Sequence, residues 1–356
     1  MLGASVAVLI VGFRNPGDVV GCLRSLSRAA PEPSFDVFIA ENGGAPAMES
    51  LVGLLGAADS PCRPLSEPGL PGSSPDLVRR RLFRLMRPDG TAGGRVHVAE
   101  MRGNLGYAGG VNAWLRLLLR VPGWEGAWIL NPDTEPAPTA LAELVACAAD
   151  RGKGMVGSCL TPMAEPTIVH SRGLRWRNFV AKTLAVDRHA PILPAPDPAD
   201  VENRLVAPSG ASMYVTRALI EKIGLMDERY FLYFEDLEWG CRAKRLNEVG
   251  YAHRSVVAHK GGTTIGSAGR RAAMSPLSVY LETRNRILFV RDKHPAWLPW
   301  VIAMQVVHSL LFGTSGAFTN LRFAFRGLVA GIVGENGRPD RVFDEKARQP
   351  AVQRQS

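Results

Sequence analysis

Apolar runs and polar breaks alternate along the first half of the chain in the order strand, loop, helix. "SVAVLIVGF" (5–13) is short, β-branched and apolar on both faces, the pattern of a central parallel strand. "NPGDVVGCLRSLSRA" follows as a loop with a helix beginning near Gly17. "FDVFIAENGG" (35–44) is a second strand that ends in a polar glycine turn. This β-α-β opening predicts a doubly wound α/β sheet, whose ligands gather at the carboxyl ends of its strands. The first apolar run has no basic residues before it and no small-residue cleavage site after it. It is therefore expected to be a buried strand, not a signal peptide.

Residues 60–95 are rich in Pro, Gly, Ser and Arg, and predict a variable surface insertion with a short basic helix. "RVHVAEMRGN" resumes a strand, and "GNLGYAGGVNAWLRLLLR" is a glycine turn running into a helix. "WEGAWILNPDTEPAP" is a strand broken at Asn131-Pro132, which sets Asp133 at its exposed end; "TALAELVACAADRG" and "GMVGSCLTP" follow as helix and strand. Residues 160–205 lack clear periodicity and predict loop with an irregular strand or two. "SGASMYVTRALIEKIG" turns from strand to helix, and "SVVAHKGG" is one more strand. From Pro295 to Asn320 no Asp, Glu, Lys or Arg occurs, but Pro299, His308 and Gly313-Thr314-Ser315-Gly316 interrupt the run. Its apolar heart, "WLPWVIAMQVVHSLLF", is shorter than the roughly 20 residues of a spanning helix. Two tryptophans at one end and flanking Lys293, Arg322 and Arg326 predict an element lying in the membrane interface, with a buried or dimerising helix as the alternative.

Length changes this picture little: 356 residues suffice for one large domain with a smaller appendage. Charge adds more. A net charge of +9 favours an anionic partner, such as a phosphorylated ligand or an acidic membrane face. Nucleic acid is disfavoured, because no helix concentrates Lys and Arg with stacking aromatics. The five scattered cysteines form no CxxC pair and suit a reduced, cytoplasmic protein.

Four stretches carry candidate chemistry. Asp133, on "LNPDTEP", stands where one carboxylate and substrate phosphates could share a divalent cation; capping the next helix is the plainer role. In "GNLGYAGGVN" the glycines allow close backbone approach and the following helix aims its amides at phosphate or sugar; a tight packing turn is the alternative. The loop does not match GxGxxG, which disfavours a nucleotide-dependent oxidoreductase. "YFLYFEDLEWGCR" (230–242) sets Glu235, Asp236 and Glu238 among aromatics. If a helix starts near Glu235, its dipole favours the ionised form of Asp236, which could then accept a proton from a hydroxyl; a plain acidic helix start would look the same. His259 ends the last strand beside Lys260 and the Gly261–Thr264 turn, which would suit a diphosphate. Arg284, Arg286 and Arg291 fall at helical spacing and are expected to be solvated.

In this order and spacing, "GNLGYAGGVN", "LNPDT", "SGASMYVTR", "GLMDERYFLYFEDLEWGCRAKRLNEVGY", "VAHKGGTT" and "ETRNRILFVR" resemble the family-2 inverting glycosyltransferases, in particular the rhamnosyltransferase-like group, from about Ser5 to Asp292. The resemblance implies a GT-A fold, a Rossmann-like mixed sheet flanked by helices, with the apolar helical segment appended. It also implies a nucleotide-sugar donor and Mn2+ or Mg2+. By motif position Asp133 and His259 would bind the metal, and Asp236 would be the general base. Glu235 and Trp239 would shape the acceptor side. Phe13, Arg14, Glu41, Asn104, Gly106, Gly109, Asn112, Asn131 and Lys260 would line the donor. Two departures stand out. Asn131 replaces the first acid of a DxD motif, and "IAENGG" replaces the usual "VDNxS", with Glu41 in the acid's place. The group likeness favours dTDP-L-rhamnose, with UDP-galactofuranose as the second donor. The acceptor it implies is a polyprenyl-linked saccharide at the cytoplasmic membrane face. The expected boundaries are a transferase domain over 1–292, an apolar helical segment over 293–335 and a flexible tail over 336–356. An inactive GT-A relative that binds saccharide or scaffolds a complex is the rival reading; retention of Asp133, Asp236 and His259 together argues against it.

Overall fold

The structure, a computed structural model, describes residues 4–67, 69–260, 273–340 and 342–343. The opening follows expectation, with β1 (Val6–Gly12), α1 (Pro16–Leu26) and β2 (Phe35–Glu41), and adds α2 (Ala45–Leu55). Every residue of β2, and all but one of β1, is buried, as strands covered on both faces require. Residues 60–95 depart from expectation. They form β3 (Cys62–Pro64) and β4 (Leu77–Met86), with β5 (Ala92–Met101) antiparallel to β4, and no basic helix. The arginines of β4 escape burial by pairing at the sheet surface, Arg79 Nε reaching Glu100 at 2.5 Å, while Leu82, Phe83 and Leu85 face inward.

Further along come α3 (Gly106–Leu118), β6 (Gly126–Leu130), β7 (Thr134–Pro136), α4 (Ala140–Arg151) and β8 (Met155–Pro162). The region expected to be loop with an irregular strand or two holds a two-stranded pair, β9 (Leu174–Arg177) with β10 (Lys182–Ala185), and then an unexpected helix, α5 (Pro198–Arg204). Helix α5 is capped by Asp197, whose carboxylate accepts from Ala199 N at 2.9 Å. The series continues with β11 (Ser212–Thr216), α6 (Arg217–Ile223), α7 (Glu235–Lys244) and β12 (Val249–His259).

Among the described residues, ten strands form one sheet in the order β3-β4-β5-β2-β1-β6-β11-β8-β12-β7. Strands β5, β2, β1 and β6 run parallel, β11 is inserted antiparallel between β6 and β8, and β12 resumes the parallel direction beside β8. Two apolar layers, one on each face of the sheet, bury Trp114 and Trp128 respectively. The carboxyl ends of β1, β2, β6 and β12 therefore share one edge with the start of β11, where Asn131 N donates to Ala211 O at 3.0 Å.

The chain divides into two compact units. One gathers the described residues through Trp176, Thr183–Asp227 and those from Glu235 to Lys260; the other gathers Arg177–Lys182, Glu228–Phe234 and the described residues from 273 onward. The second unit thus begins well before the expected boundary at 292. It contains α8 (Pro276–Lys293), α9 (Leu298–Thr314) and α10 (Phe318–Val333). Within it, the segment before α7 is held in an unusual backbone. Phe231, Tyr233 and Phe234 all have φ between 64° and 74°, a left-handed region that bulky residues seldom occupy. The buried Asn285 amide donates to the carbonyls of Tyr230, Leu232 and Tyr233 at 2.8, 2.8 and 2.9 Å, and Arg284 adds a bond to Tyr230 O at 3.2 Å. Arg284 and Arg286, expected to be solvated, are instead buried or nearly so. Arg284 donates to Gly337 O, and Arg286 Nη1 donates to Gln305 Oε1 at 2.7 Å. The stretch Pro295–Thr314 is long and apolar enough to cross a membrane by length and composition, and only 17% of it is buried.

Candidate active site

Chain direction explains why distant residues meet at one sheet edge. At the end of β1, the Arg14 amide donates to Glu41 Oε1 at 3.1 Å, and Gly43 N donates to the same oxygen at 2.8 Å. Glu41 thereby locks the two adjoining turns together from a fully buried position. Phe13 is left 46% exposed, with the Arg14 guanidinium 5.2 Å from its ring centre. Asn42 ties this corner to the next one: its amide donates to Gly106 O at 2.9 Å and accepts from Leu105 N at 3.3 Å. Asn104 accepts from Gly106 N at 3.0 Å. Gly106 sits at φ 73°, where glycine is favoured, and Gly110 lies so close to Val11 that a Cβ there would come within 2.9 Å. Gly109 is buried in the same first turns of α3.

Asp236 stands in the first turn of α7. Its Oδ2 accepts from Gly210 N at 2.9 Å and its Oδ1 from Leu237 N at 2.7 Å. Burial raises its carboxyl above the usual range, and those two hydrogen bonds oppose the rise. Glu235 beside it is buried, and its Oε2 has no partner among the described residues. Burial, then the neighbouring Asp236 charge, pushes Glu235 up to about 8. Near neutral pH Glu235 therefore keeps its proton, while the two backbone N–H groups on Asp236 favour its charged form against the upward push of burial. Tyr107, from the glycine turn, donates to Gly210 O at 2.6 Å. Its phenol is held well above the usual range by burial and then by the charges of Glu235, Asp236 and Asp133, so it shares its surroundings with all three acids.

The Glu235 shift has a measurable consequence for stability. Below its ordinary 4.5 both folded and unfolded chains hold the proton; between 4.5 and about 8 only the folded chain does, and stability falls as pH rises through that window. Glu235→Gln removes the titration. Its melting temperature should match wild type near pH 4.5 and exceed it by a growing margin up to pH 8, as scanning calorimetry across that range would show.

On the other side of β11, Asp133 Oδ1 lies 3.2 Å from His259 Nε2, where β7 pairs with β12. Burial works to raise the Asp133 carboxyl, but the hydrogen bond and charge of His259, helped by Lys260, take it below the usual range. The second ring nitrogen of His259, Nδ1, is buried without a partner among the described residues. The His170 ring packs edge-on against His259 at 5.7 Å, and burial, then His259, lowers its imidazole to about 4. Lys260 donates its backbone N–H to Asp133 O at 3.0 Å and pairs through Nζ with Asp18 of α1 at 3.2 Å. The backbone of Asn131 turns back onto β11, and its carbonyl accepts from Thr134 Oγ1 at 2.7 Å.

Two expected contacts depart from their roles. Trp239 is 0% exposed and donates from Nε1 to Gly224 O at 2.9 Å, so it is a core residue and cannot wall an acceptor. Asn112 is 1% exposed, and both ends of its amide bond the backbone of Met226, at 2.9 and 3.1 Å; it fixes the approach to the acidic segment instead of touching a donor. Glu41 likewise acts through the turns it locks, being fully buried. Asn42, Tyr107, His170 and Gly210 join the site without having been singled out in the sequence. The Gly261–Thr264 turn lies outside the described residues.

No family model matches the chain. A low-salt glycan biosynthesis hexosyltransferase of Haloferax volcanii is 26% identical over 195 residues, 54% of this chain and 59% of that protein. An N-acetylglucosaminyl-diphospho-decaprenol L-rhamnosyltransferase of Mycobacterium tuberculosis is 25% identical over 219 residues, 54% of this chain and 66% of its own. The chain is similar to these two glycosyltransferases over about half of its length, and it spans less than two thirds of the length of either curated protein. Among solved structures, a mannosyltransferase from Pyrobaculum calidifontis in complex with GDP-Man and Mn2+ gives a TM-score of 0.48 at 12% identity, covering 92% of this chain and 87% of that one. Residues 1–349 of S. aureus TarS give 0.43 at 10% identity, covering 93% and 92%.

Proposed function

We propose that the chain is an inverting glycosyltransferase that moves a hexose, L-rhamnose from dTDP-rhamnose in the specific form, to a hydroxyl of a polyprenyl-linked saccharide at the cytoplasmic face of the membrane. The observation that carries the reading is the Asp236 carboxylate, held by the Gly210 and Leu237 N–H groups at the sheet edge that also bears Asp133 and His259. The names of the two curated relatives, a hexosyltransferase and a decaprenol-linked rhamnosyltransferase, support the sugar class and the lipid-linked acceptor.

In this mechanism the acceptor hydroxyl meets Asp236, which takes its proton as the oxygen forms a bond to donor C1. The bond from C1 to the diphosphate oxygen breaks on the opposite face, and its electron pair leaves with the nucleotide diphosphate, inverting the anomeric centre. Asp236 is suited to this: burial raises its basicity, while Gly210 and Leu237 keep it oriented. Exposed Phe13 and the Arg14 guanidinium offer a face and a charge to the nucleotide, and Lys260 offers a cation to the diphosphate.

Asp133 and His259 supply an oxygen and a nitrogen 3.2 Å apart, with a buried ring nitrogen still without a protein partner. No group of three or more His, Cys, Asp or Glu suited to a metal ion occurs among the described residues, so the remaining ligands would be substrate oxygens, a sparse set that Mn2+ and Mg2+ accept. When bound, such a cation neutralises charge developing on the leaving diphosphate. Melting curves with a panel of nucleotide sugars, each with and without Mn2+, test the reading. The expected result is stabilisation by dTDP-rhamnose that depends on Mn2+, and its loss in Asp133→Ala, with donor affinity about tenfold weaker or more. Failure of every nucleotide sugar to shift the melting temperature would remove the proposal.

A further inference from the structure

Two hydrogen bonds of unlike kind hold Asp236. The Leu237 N–H belongs to the next residue of α7, so its bond of 2.7 Å fixes the carboxylate only relative to that helix. The Gly210 N–H, at 2.9 Å, comes from the loop before β11, 26 residues away, and ties the carboxylate to the sheet edge. Where Asp236 stands against that edge therefore depends on where Gly210 stands. Gly210 has an anchor of its own. Its carbonyl accepts from Tyr107 Oη at 2.6 Å, and no other donor reaches that carbonyl among the described residues. The fit is close: a Cβ on Gly210 would lie 3.3 Å from Asp236 Oδ2 and 3.6 Å from Tyr107 Cε1, so both side chains crowd the same stretch of backbone.

The anchor is itself firmly seated. Tyr107 stands in the first turn of α3, directly after Gly106, whose carbonyl accepts from Asn42 and whose N–H donates to Asn104. The Tyr107 ring packs on the apolar layer that buries Trp114, which leaves the hydroxyl as the polar end of a rigid arm. Burial, then the charges of Glu235, Asp236 and Asp133, hold the phenol well above its usual range, so it remains a donor throughout the working pH range.

We infer that Tyr107 is a positioning residue for the proposed general base: through Gly210 it sets the distance and angle at which Asp236 meets the acceptor hydroxyl. It thereby links the glycine turn proposed to line the donor with the group that activates the acceptor. The inference rests on the proposed transfer reaction and adds to it a residue that acts through backbone and not by contact with the reacting atoms. Such an anchor matters because a misplacement of about 1 Å at a reacting group can cost on the order of 100-fold in rate.

Tyr107→Phe tests this, since it removes one oxygen and keeps the packed ring. In the full chain without substrates, amide hydrogen exchange across 209–212 should quicken by about tenfold while exchange in α4 stays unchanged. Single-turnover transfer is then measured with the nucleotide sugar that stabilises the chain in the melting panel and a polyprenyl-linked saccharide. The transfer rate should fall by about tenfold, with donor affinity within about twofold of wild type. Introduced into Asp236→Asn, the same substitution should add less than about a twofold loss, because the group it positions is no longer a base. Unchanged exchange at 209–212, a wild-type rate in Tyr107→Phe, a donor affinity that falls with the rate, or an equal loss in the Asp236→Asn background would each overturn the role of Tyr107 and leave the base standing. A wild-type rate in Asp236→Asn alone would remove the base, and this inference with it.

Discussion

Asp236→Asn should bind the nucleotide sugar as wild type does while turning over at least about two orders of magnitude more slowly, the loss expected when a general base is removed. The substitution is nearly isosteric and is not silent structurally. The carboxylate accepts from two backbone N–H groups, Gly210 and Leu237, and an amide can accept from only one of them with its oxygen. A modest fall in melting temperature is therefore expected alongside the large fall in kcat, with donor affinity unchanged. Protein-limited single-turnover measurements separate the two effects. A variant that transfers sugar at the wild-type rate would show that Asp236 is not the base.

Asn285→Ala should be the most disruptive substitution away from the acids. One side-chain amide holds three backbone carbonyls in a segment whose Phe231, Tyr233 and Phe234 sit in the left-handed region. Such a backbone costs on the order of 1–3 kcal/mol per residue and persists only where surrounding bonds over-determine it. Without Asn285 the carbonyls of Tyr230, Leu232 and Tyr233 each lose this partner, a loss of roughly 1–3 kcal/mol apiece, although Tyr230 O keeps its bonds from Arg284 and from Leu232 N. Because residue 234 leads directly into Glu235 and Asp236, loosening should reach the proposed base. Turnover should fall by about tenfold or more, with kcat affected more than the donor KM, and amide hydrogen exchange should quicken across 231–237. Unchanged exchange there would sink the account.

Much of the frame was legible in the sequence because buried parallel strands announce themselves. The runs that became β1, β2 and β6 are apolar on both faces, and the breaks after them, at Phe13-Arg14, Asn42-Gly43 and Asn131-Pro132, mark the edge on which the site is built. Strand β4 was not legible. Its arginines mask the inward residues, and its register shifts twice against β5, so no clean alternation survives. Motif position singled out Asp133, Asp236 and His259, which the fold brings to one sheet edge, but said nothing of depth, which is why Trp239 and Asn112 were assigned to substrate although both are buried and bonded to backbone. Tyr107 was missed for the converse reason. Its partner is a carbonyl 103 residues away, and only the fold brings Gly210 to it.

Strand β11 runs against its neighbours, so it delivers its beginning, not its end, to the edge where the others finish. On the proposed reading, the residues that would hold the donor lie mostly on one flank of that reversed strand, and the proton acceptor hangs from the loop that leads into it. On that reading, substitutions along the approach to α7 would change which hydroxyl is glycosylated without touching the residues proposed to hold the departing nucleotide.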